Sequence, residues 1–593
     1  MSRSLLPALM ACLAVPDVAL ACGGFFCSQV PIDQSKERIV FEVDPASSTV
    51  EAHVQIYYTG AAAEFAWVVP TPGLPEIGLS VDALFDTVST YTQPRYDLTY
   101  EYPGCAWRGD SADSGSVLDS GGRDDTDAPS GGGVVIIDQT QVGPYDTVTL
   151  QASSDEALLT WLRSNDYDLP ANLGPNLAPY VAAGSYFVAL KLTNGRTAGD
   201  IAPIRLTWPG EVASIPLVLT AIAATPDMRL EAYVLGEHRA VPDNYLHVMV
   251  NDKAIDWLRH GANYDAVITD AADEAGGQAF ATDYAGSTAA LRDTLWSPGR
   301  YDLDLLRATD DPADYVSAML SMGFPRSQQV QGLIRQFIPM PQAAIDAGID
   351  EQWFYNCLNC YPQYTRLIDF DPAAFTAALQ AAIVDPLEQI NRMFYDHAWI
   401  TRLTSSISPA EMTVDPLFVL NPDLPAVDNV HRATFVTDCE TSDGDPTGAV
   451  KWIELEDSTR LLLDPTSEAT YVSTTSAAVV QDLDATGAGF VLVDNRAADL
   501  AAAEAFNAAA TAGWEALGRE VPPDDTPPVI GEIDQEIPGD DPSGADDSDD
   551  PEDTDAPSVT GGKGASCGCD GAPVHPGAGL LLAVAAARRR RRA

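Results

Sequence analysis

The chain has 593 residues, 46% of them hydrophobic, enough for two to four domains. Its 86 Asp and Glu against 33 Lys and Arg give a formal net charge of −53. That balance excludes a nucleic-acid binder, which needs a basic footprint, and fits an acidic, solvated surface. In chain order, Arg3, an apolar run from Leu5 to Val15 and Ala19-Leu20-Ala21 before Cys22 predict a secretory signal peptide over 1–21. Strands are expected at 38–43 and 49–58 around the turn residues 45–48, and at 65–69, where Pro70-Thr71-Pro72-Gly73 should stop the chain. Val81, Leu84, Phe85 and Val88 give helical spacing over 81–90, and 95–102 returns to strand. Residues 109–133 are Ser, Asp and Gly with almost nothing apolar to bury, a disordered insertion.

Chain order resumes with a strand at 134–137 and a helix at 155–164 capped by Ser154 or Asp155. Strands are expected at 186–192, 204–208, 215–221 and 230–235, with a short helix at 254–260. The period is helical from 303 to 403, most clearly over 373–394, where Pro386 should break the helix. Residues 435–463 and 478–493 read as β, and an Ala-rich helix follows at 498–517. The expected fold class is α+β. It comprises a β-rich N-terminal region (22–300), a helical middle region (301–430) and a smaller β-containing C-terminal region (431–519). A disordered acidic stalk spans 520–566, extended by its own like charges. The chain closes with Cys567 and Cys569, an apolar stretch over 577–587, and Arg588, Arg589, Arg590, Arg591 and Arg592.

Six cysteines remain between the two terminal segments: Cys22, Cys27, Cys105, Cys357, Cys360 and Cys439. An even count in an exported chain points to disulfides, and six cysteines allow fifteen pairings. Cys357-Leu358-Asn359-Cys360 is also a candidate redox pair, which would need a strand before it and a helix after it. Zinc would need about four ligands, and there is no second such motif. Asp443, Asp445, Thr447 and Glu454 stand at positions one, three, five and twelve of a calcium loop, with Gly448 at the turn. Lys451 and strand-like flanks favour an Asp-Gly hairpin instead. No histidines have metal-ligand spacing, and His53, in a strand, reads as half-buried or exposed rather than catalytic. No G-x-S-x-G elbow, P-loop or G-x-G-x-x-G occurs. Trp67, Trp107 and Trp161 could form a sugar platform, though such spacings more often mark core.

The run Ala21-Cys22-Gly23-Gly24-Phe25-Phe26-Cys27 resembles the start of a bacterial family known as domain of unknown function 2330. Phe65 through Pro72, Val142 through Asp146, Leu158 through Leu162 with Trp161, Tyr186 through Ala189, and Thr401-Arg402-Leu403, Ser408-Pro409, Met412-Thr413 and Asp415-Pro416 resemble later segments of that family, over about Cys22 to Pro425. The resemblance brings no catalytic residues. The C-terminus resembles the MYXO-CTERM sorting signal, with Cys567 and Cys569 as its cysteine motif and the arginines as its basic end. That resemblance implies processing near the cysteines by export and sorting machinery, a membrane contact through the C-terminal segment, and surface display. The expected role is a non-catalytic binding or envelope-structural protein with a surface ligand, no nucleic-acid partner and no required cofactor. A periplasmic or secreted location is the alternative. The alternative function is an extracytoplasmic enzyme, either a thiol-disulfide oxidoreductase at Cys357 and Cys360 or a hydrolase assembled from distant residues.

Overall fold

A computed structural model describes residues 34–524 and 528, apart from 56–65, 106–134, 166, 168, 170–172, 194–200 and 223. The expected signal peptide, Cys22, Cys27, Trp107, the 109–133 insertion, nearly all of the stalk, and the sorting signal with Cys567, Cys569 and Arg588 to Arg592 lie outside the described residues. Those described fall in one compact unit within residues 1–537. The fold is α+β, as the periodicities indicated.

Its backbone is a mixed ten-stranded sheet. From edge to edge the strands are Phe490–Asp494, Ala477–Asp482, Leu246–Val250, Ala279–Ser287, Trp399–Ile407, Ala224–Gly236, Gln34–Asp44, Thr49–Gln55, Ile204–Pro209 and Glu76–Leu79. The strands come from all three expected regions, so the chain weaves through one sheet. Turn chemistry at 45–48 works through Asp44, whose carboxylate accepts from Ala46 N at 2.9 Å and Ser47 Oγ at 2.6 Å.

Strand alternation sorts the side chains into layers. On one face Ile39, Phe41, Ala52, Val54, Leu206 and Trp208 pack against Trp67, Val69, Val188 and Leu190. The latter four belong to an antiparallel four-stranded sheet ordered Ala66–Thr71, Tyr186–Leu192, Tyr145–Gln151 and Val135–Val142. The far face of that sheet, with Val68, Phe187 and Ala189, is covered by Leu158, Trp161 and Leu162 of helix Asp155–Ser164 and by helix Leu173–Ala183. Ser154 caps the first of these, accepting from Ala157 N at 3.1 Å. On the other face of the large sheet, Val40, Tyr233 and Ile400 meet the helices of 303–396. The result is a helix–sheet–sheet–helix stack.

Four expectations are corrected. Pro70 does not stop its strand, which runs Ala66–Thr71, because this is an edge strand where the missing N–H costs no ladder bond. Residues 215–221, expected as strand, hold a single helical turn, Leu217–Thr220, because Asp415 Oδ1 accepts from Val218 N at 2.9 Å. Trp399–Ile407 is a central strand rather than the end of the helical region. Its two Ile and two Thr suit a buried pleated surface better than a helix.

Pro386 does not break its helix. Asp371 caps Pro372–Leu379, accepting from Ala373 N and Ala374 N at 3.0 Å. The chain then passes through a π-helical turn, Gln380–Val384, into Asp385–Asp396. Proline lacks the N–H that would reach the Ala382 carbonyl. The wider turn lets Asp385 N bond Gln380 O, and the Gln329 side chain donates to Ala382 O at 3.2 Å from a neighbouring helix.

Candidate functional site

The π turn forms one wall of a cleft of ≈ 660 Å³ between the sheet edge and the helices, a size suited to a small-molecule ligand. Ala378, Ala381, Asp385, Gln389 and Arg392 recur at helical spacing on one face, and the alanine methyls leave room there. Arg205 enters from the sheet. Gly78 lies opposite it in register, and a Cβ on Gly78 would come within 2.7 Å of Arg205 Nε. Gln329, 6% exposed, supplies the floor.

Behind this cleft lies a buried polar relay. Glu51 and His53, two apart on one strand, share the face opposite Ala52. Glu51 accepts from His53 Nε2 at 3.0 Å, Thr207 Oγ1 at 2.8 Å, Arg205 Nη1 at 3.3 Å and Gln389 Nε2 at 3.2 Å. Burial alone would raise the Glu51 carboxyl. The hydrogen bond from His53, with the charge of Arg205 and the hydroxyl of Thr207, overcomes this and holds it below its ordinary value. With Glu51 ionised, Nε2 of His53 donates to it. In the neutral ring Nδ1 is then the acceptor of the Ser80 hydroxyl, 2.7 Å away. His53 is 1% exposed, so the expectation of a half-buried or exposed ring is corrected. Its partners explain the difference, because a buried imidazole with both nitrogens satisfied carries little desolvation cost.

Ser80, His53 and Glu51 have the contacts of a nucleophile, a base and an orienting carboxylate. Ser80, however, is fully buried, and Gln329 Nε2 donates to its carbonyl at 3.4 Å. In this conformation the hydroxyl meets no substrate. What faces the cleft is polar but close to charge-balanced: Arg205 is paired with Glu51 and Glu76, and Arg392 is offset by Asp385. Gln329 Oε1 and Arg205 Nε are buried without a hydrogen-bond partner among the described residues. Replacing Gln329 with Met is expected to lower stability by about 1–3 kcal/mol, because Ala382 O loses its donor. Urea denaturation of the variant against wild type measures this.

The motifs marked in the sequence lie elsewhere. Cys105 and Cys439 form a disulfide, and so do Cys357 and Cys360. The latter pair follows helix Glu351–Asn356 rather than a strand, and only a short turn of helix, Pro362–Thr365, comes after it. The setting required of a redox pair is therefore missing. The calcium-loop residues do not converge. Asp445 Oδ1 accepts from Thr447 N at 2.9 Å and Oγ1 at 2.8 Å within its own turn, while Glu454 lies in strand Val450–Leu455 opposite Thr434. Among the described residues no group of three His, Cys, Asp or Glu could hold a metal ion. Trp67 and Trp161 lie in different cores, on opposite faces of the small sheet, and form no platform. Among the described residues no helix is long and apolar enough to cross a membrane.

Sequence reasoning missed Ser80, Gln329, Arg205 and Gln389. The only local signal was the spacing of Glu51 and His53 in a strand. A family model described as "uncharacterized protein conserved in bacteria (DUF2330)" matches residues 16–334. The match takes in the Cys22–Cys27, Trp67 and Tyr186 segments, Ser80 and Gln329, and it stops before the 401–416 segment. No curated protein and no solved structure matches.

Proposed function

The chain belongs to the DUF2330 family of bacterial proteins, and from that premise we propose that it is an exported envelope or cell-surface binding protein. The ligand proposed for the 660 Å³ cleft is uncharged and hydroxyl-rich, of the saccharide class. The observation that carries the ligand class is the lining itself, in which Gln141, Gln329, Gln336 and Gln389 share one cleft with Arg205, Arg392 and Asp385. Side-chain amides both donate and accept, which is the complement of hydroxyl groups. The near-neutral lining disfavours ions. Two disulfides support export, because such bonds persist in oxidising compartments.

Native, unreduced mass spectrometry with peptide mapping tests the address. The expected result is an N-terminus at or near Cys22, processing near Cys567 and both disulfides intact; free thiols and unprocessed ends would remove it. Calorimetric titration with envelope saccharides tests the ligand class, with heat expected from wild type and none from Gln329→Met.

A second reading, a serine hydrolase, is favoured by the Ser80–His53–Glu51 contacts. It requires the cleft to open onto Ser80. Labelling of wild type but not Ser80→Ala by a fluorophosphonate would establish it in place of the binding reading.

A further inference from the structure

We propose that the cleft between the two sheets is a separate binding site for a small organic cation with an apolar body, an aryl- or alkylammonium. The site has a volume of ≈ 220 Å³ and is walled by Phe41, Trp67, Val69 and Trp208. A cavity of about 150 Å³ holds a benzene ring, so this one takes a ligand of about nine non-hydrogen atoms.

Charge selects the class. Glu37 and Asp415 line the cleft, and no Lys, Arg or His does so among the described residues. Acidic side chains are common on this chain, but Glu37 is buried here and Asp415 half-buried. Glu37 is 6% exposed. Asp415 is fixed in place by Tyr180 Oη and Val218 N, each donating to Oδ1 at 2.9 Å. Burial holds the Asp415 carboxyl above its ordinary value, and a cation seated beside it would relieve that cost by favouring the ionised form. Trp67 and Trp208 stand in the same walls, and indoles are the aromatic groups that attract cations best, more so when water is excluded. An anion would meet both carboxylates, and a neutral ligand of the same shape would gain only the apolar contacts. The two sites use opposite faces of the same strands, Thr49–Gln55 and Ile204–Pro209. Phe41, Ala52 and Leu206 point to the opposite side of the sheet from Glu51, His53 and Arg205, so this site stands or falls independently of the saccharide reading.

Three probes, each of about nine non-hydrogen atoms, separate the possibilities: phenethylamine, 2-phenylethanol and benzoate. Each is titrated at pH 7 into the full exported chain, with tryptophan fluorescence and calorimetry as readouts. The ammonium is expected to bind about tenfold or more tighter than the alcohol, and the carboxylate to bind weakest. Asp415→Asn should remove most of the ammonium's advantage and leave the alcohol unchanged. Equal affinities for the three, tighter binding of the alcohol or the carboxylate, or no binding of the ammonium at millimolar concentration would overturn the proposal on wild-type protein alone. An undiminished preference in a folded Asp415→Asn would overturn the assignment of the carboxylate.

Discussion

Replacing Arg402 with methionine is expected to destabilise the folded chain by about 3–5 kcal/mol, among the largest effects of any single substitution. Arg402 lies on the central strand Trp399–Ile407 with its side chain 4% exposed. Its Nε reaches Asp283 Oδ2 at 2.9 Å, its Nη2 reaches Glu231 Oε1 at 3.4 Å, and its guanidinium lies over the Tyr233 ring. Glu231 also holds Lys36 at 2.8 Å and Arg38 at 3.0 Å, and Asp283 accepts from Thr404 Oγ1 and Tyr264 Oη. Four adjacent strands thus bring their charges to one buried point. Methionine keeps much of the volume but leaves Asp283 without a cation in that network, and an uncompensated buried charge is what makes such a loss costly. A urea midpoint unchanged from wild type would show that the network contributes nothing.

The same network sets an acid limit. Burial would raise the Glu231 carboxyl, but Arg402 and Lys36 outweigh it and pull it down to about 2. The folded value is depressed, so this contribution to stability is complete above the unfolded value near 4.5 and is lost as pH falls from there towards 2. Melting temperature should therefore decline between those limits, and the decline should be shallower in Glu231→Gln. Equal slopes for the two proteins would assign the acid sensitivity to other carboxylates.

The periodic elements were readable because their causes are local. Strands at 38–43 and 49–58 were legible about the turn residues 45–48, and Ser154 or Asp155 marked the start of a helix that Ser154 caps. The relay was not readable for the opposite reason. Glu51 and His53 share a face by strand geometry, but Ser80 arrives 27 residues later and Gln329 is 249 residues from Ser80. Only the packed helical layer brings Gln329 there. Pro386 shows a local rule overridden by tertiary context, since a distant glutamine satisfies the carbonyl that proline orphans. Trp399–Ile407 was misread because residues buried on both faces carry no clear period of either kind. For the disulfides, the sequence offered six cysteines and fifteen possible pairings, and the pairing waited on the fold.

That pairing gives the second large effect. Replacing both Cys105 and Cys439 with serine is expected to cost about 5 kcal/mol, against about 2 kcal/mol for the same change at Cys357 and Cys360. The bond chemistry is identical, and the loops are not. One disulfide closes a sequence separation of 334 and the other a separation of 3, and the unfolded chain regains entropy with the logarithm of that length. The long bridge also sits where it can act. Strands Arg95–Glu101 and Val430–Asp438 pair in parallel, and Cys105 and Cys439 lie just past their ends. Cys439 is fully buried, and its N–H donates to Pro103 O at 2.9 Å. Gly104, at φ +70°, turns the chain so closely that a Cβ would lie 2.5 Å from Glu440 Cγ. The two double variants, unfolded in urea side by side without reductant, measure the difference directly. A larger loss at Cys105 and Cys439 would mean that the fold depends on an oxidising compartment, a physical link between this architecture and the export proposed for it. Equal and small losses would leave the strand pairing to hold itself and remove that link.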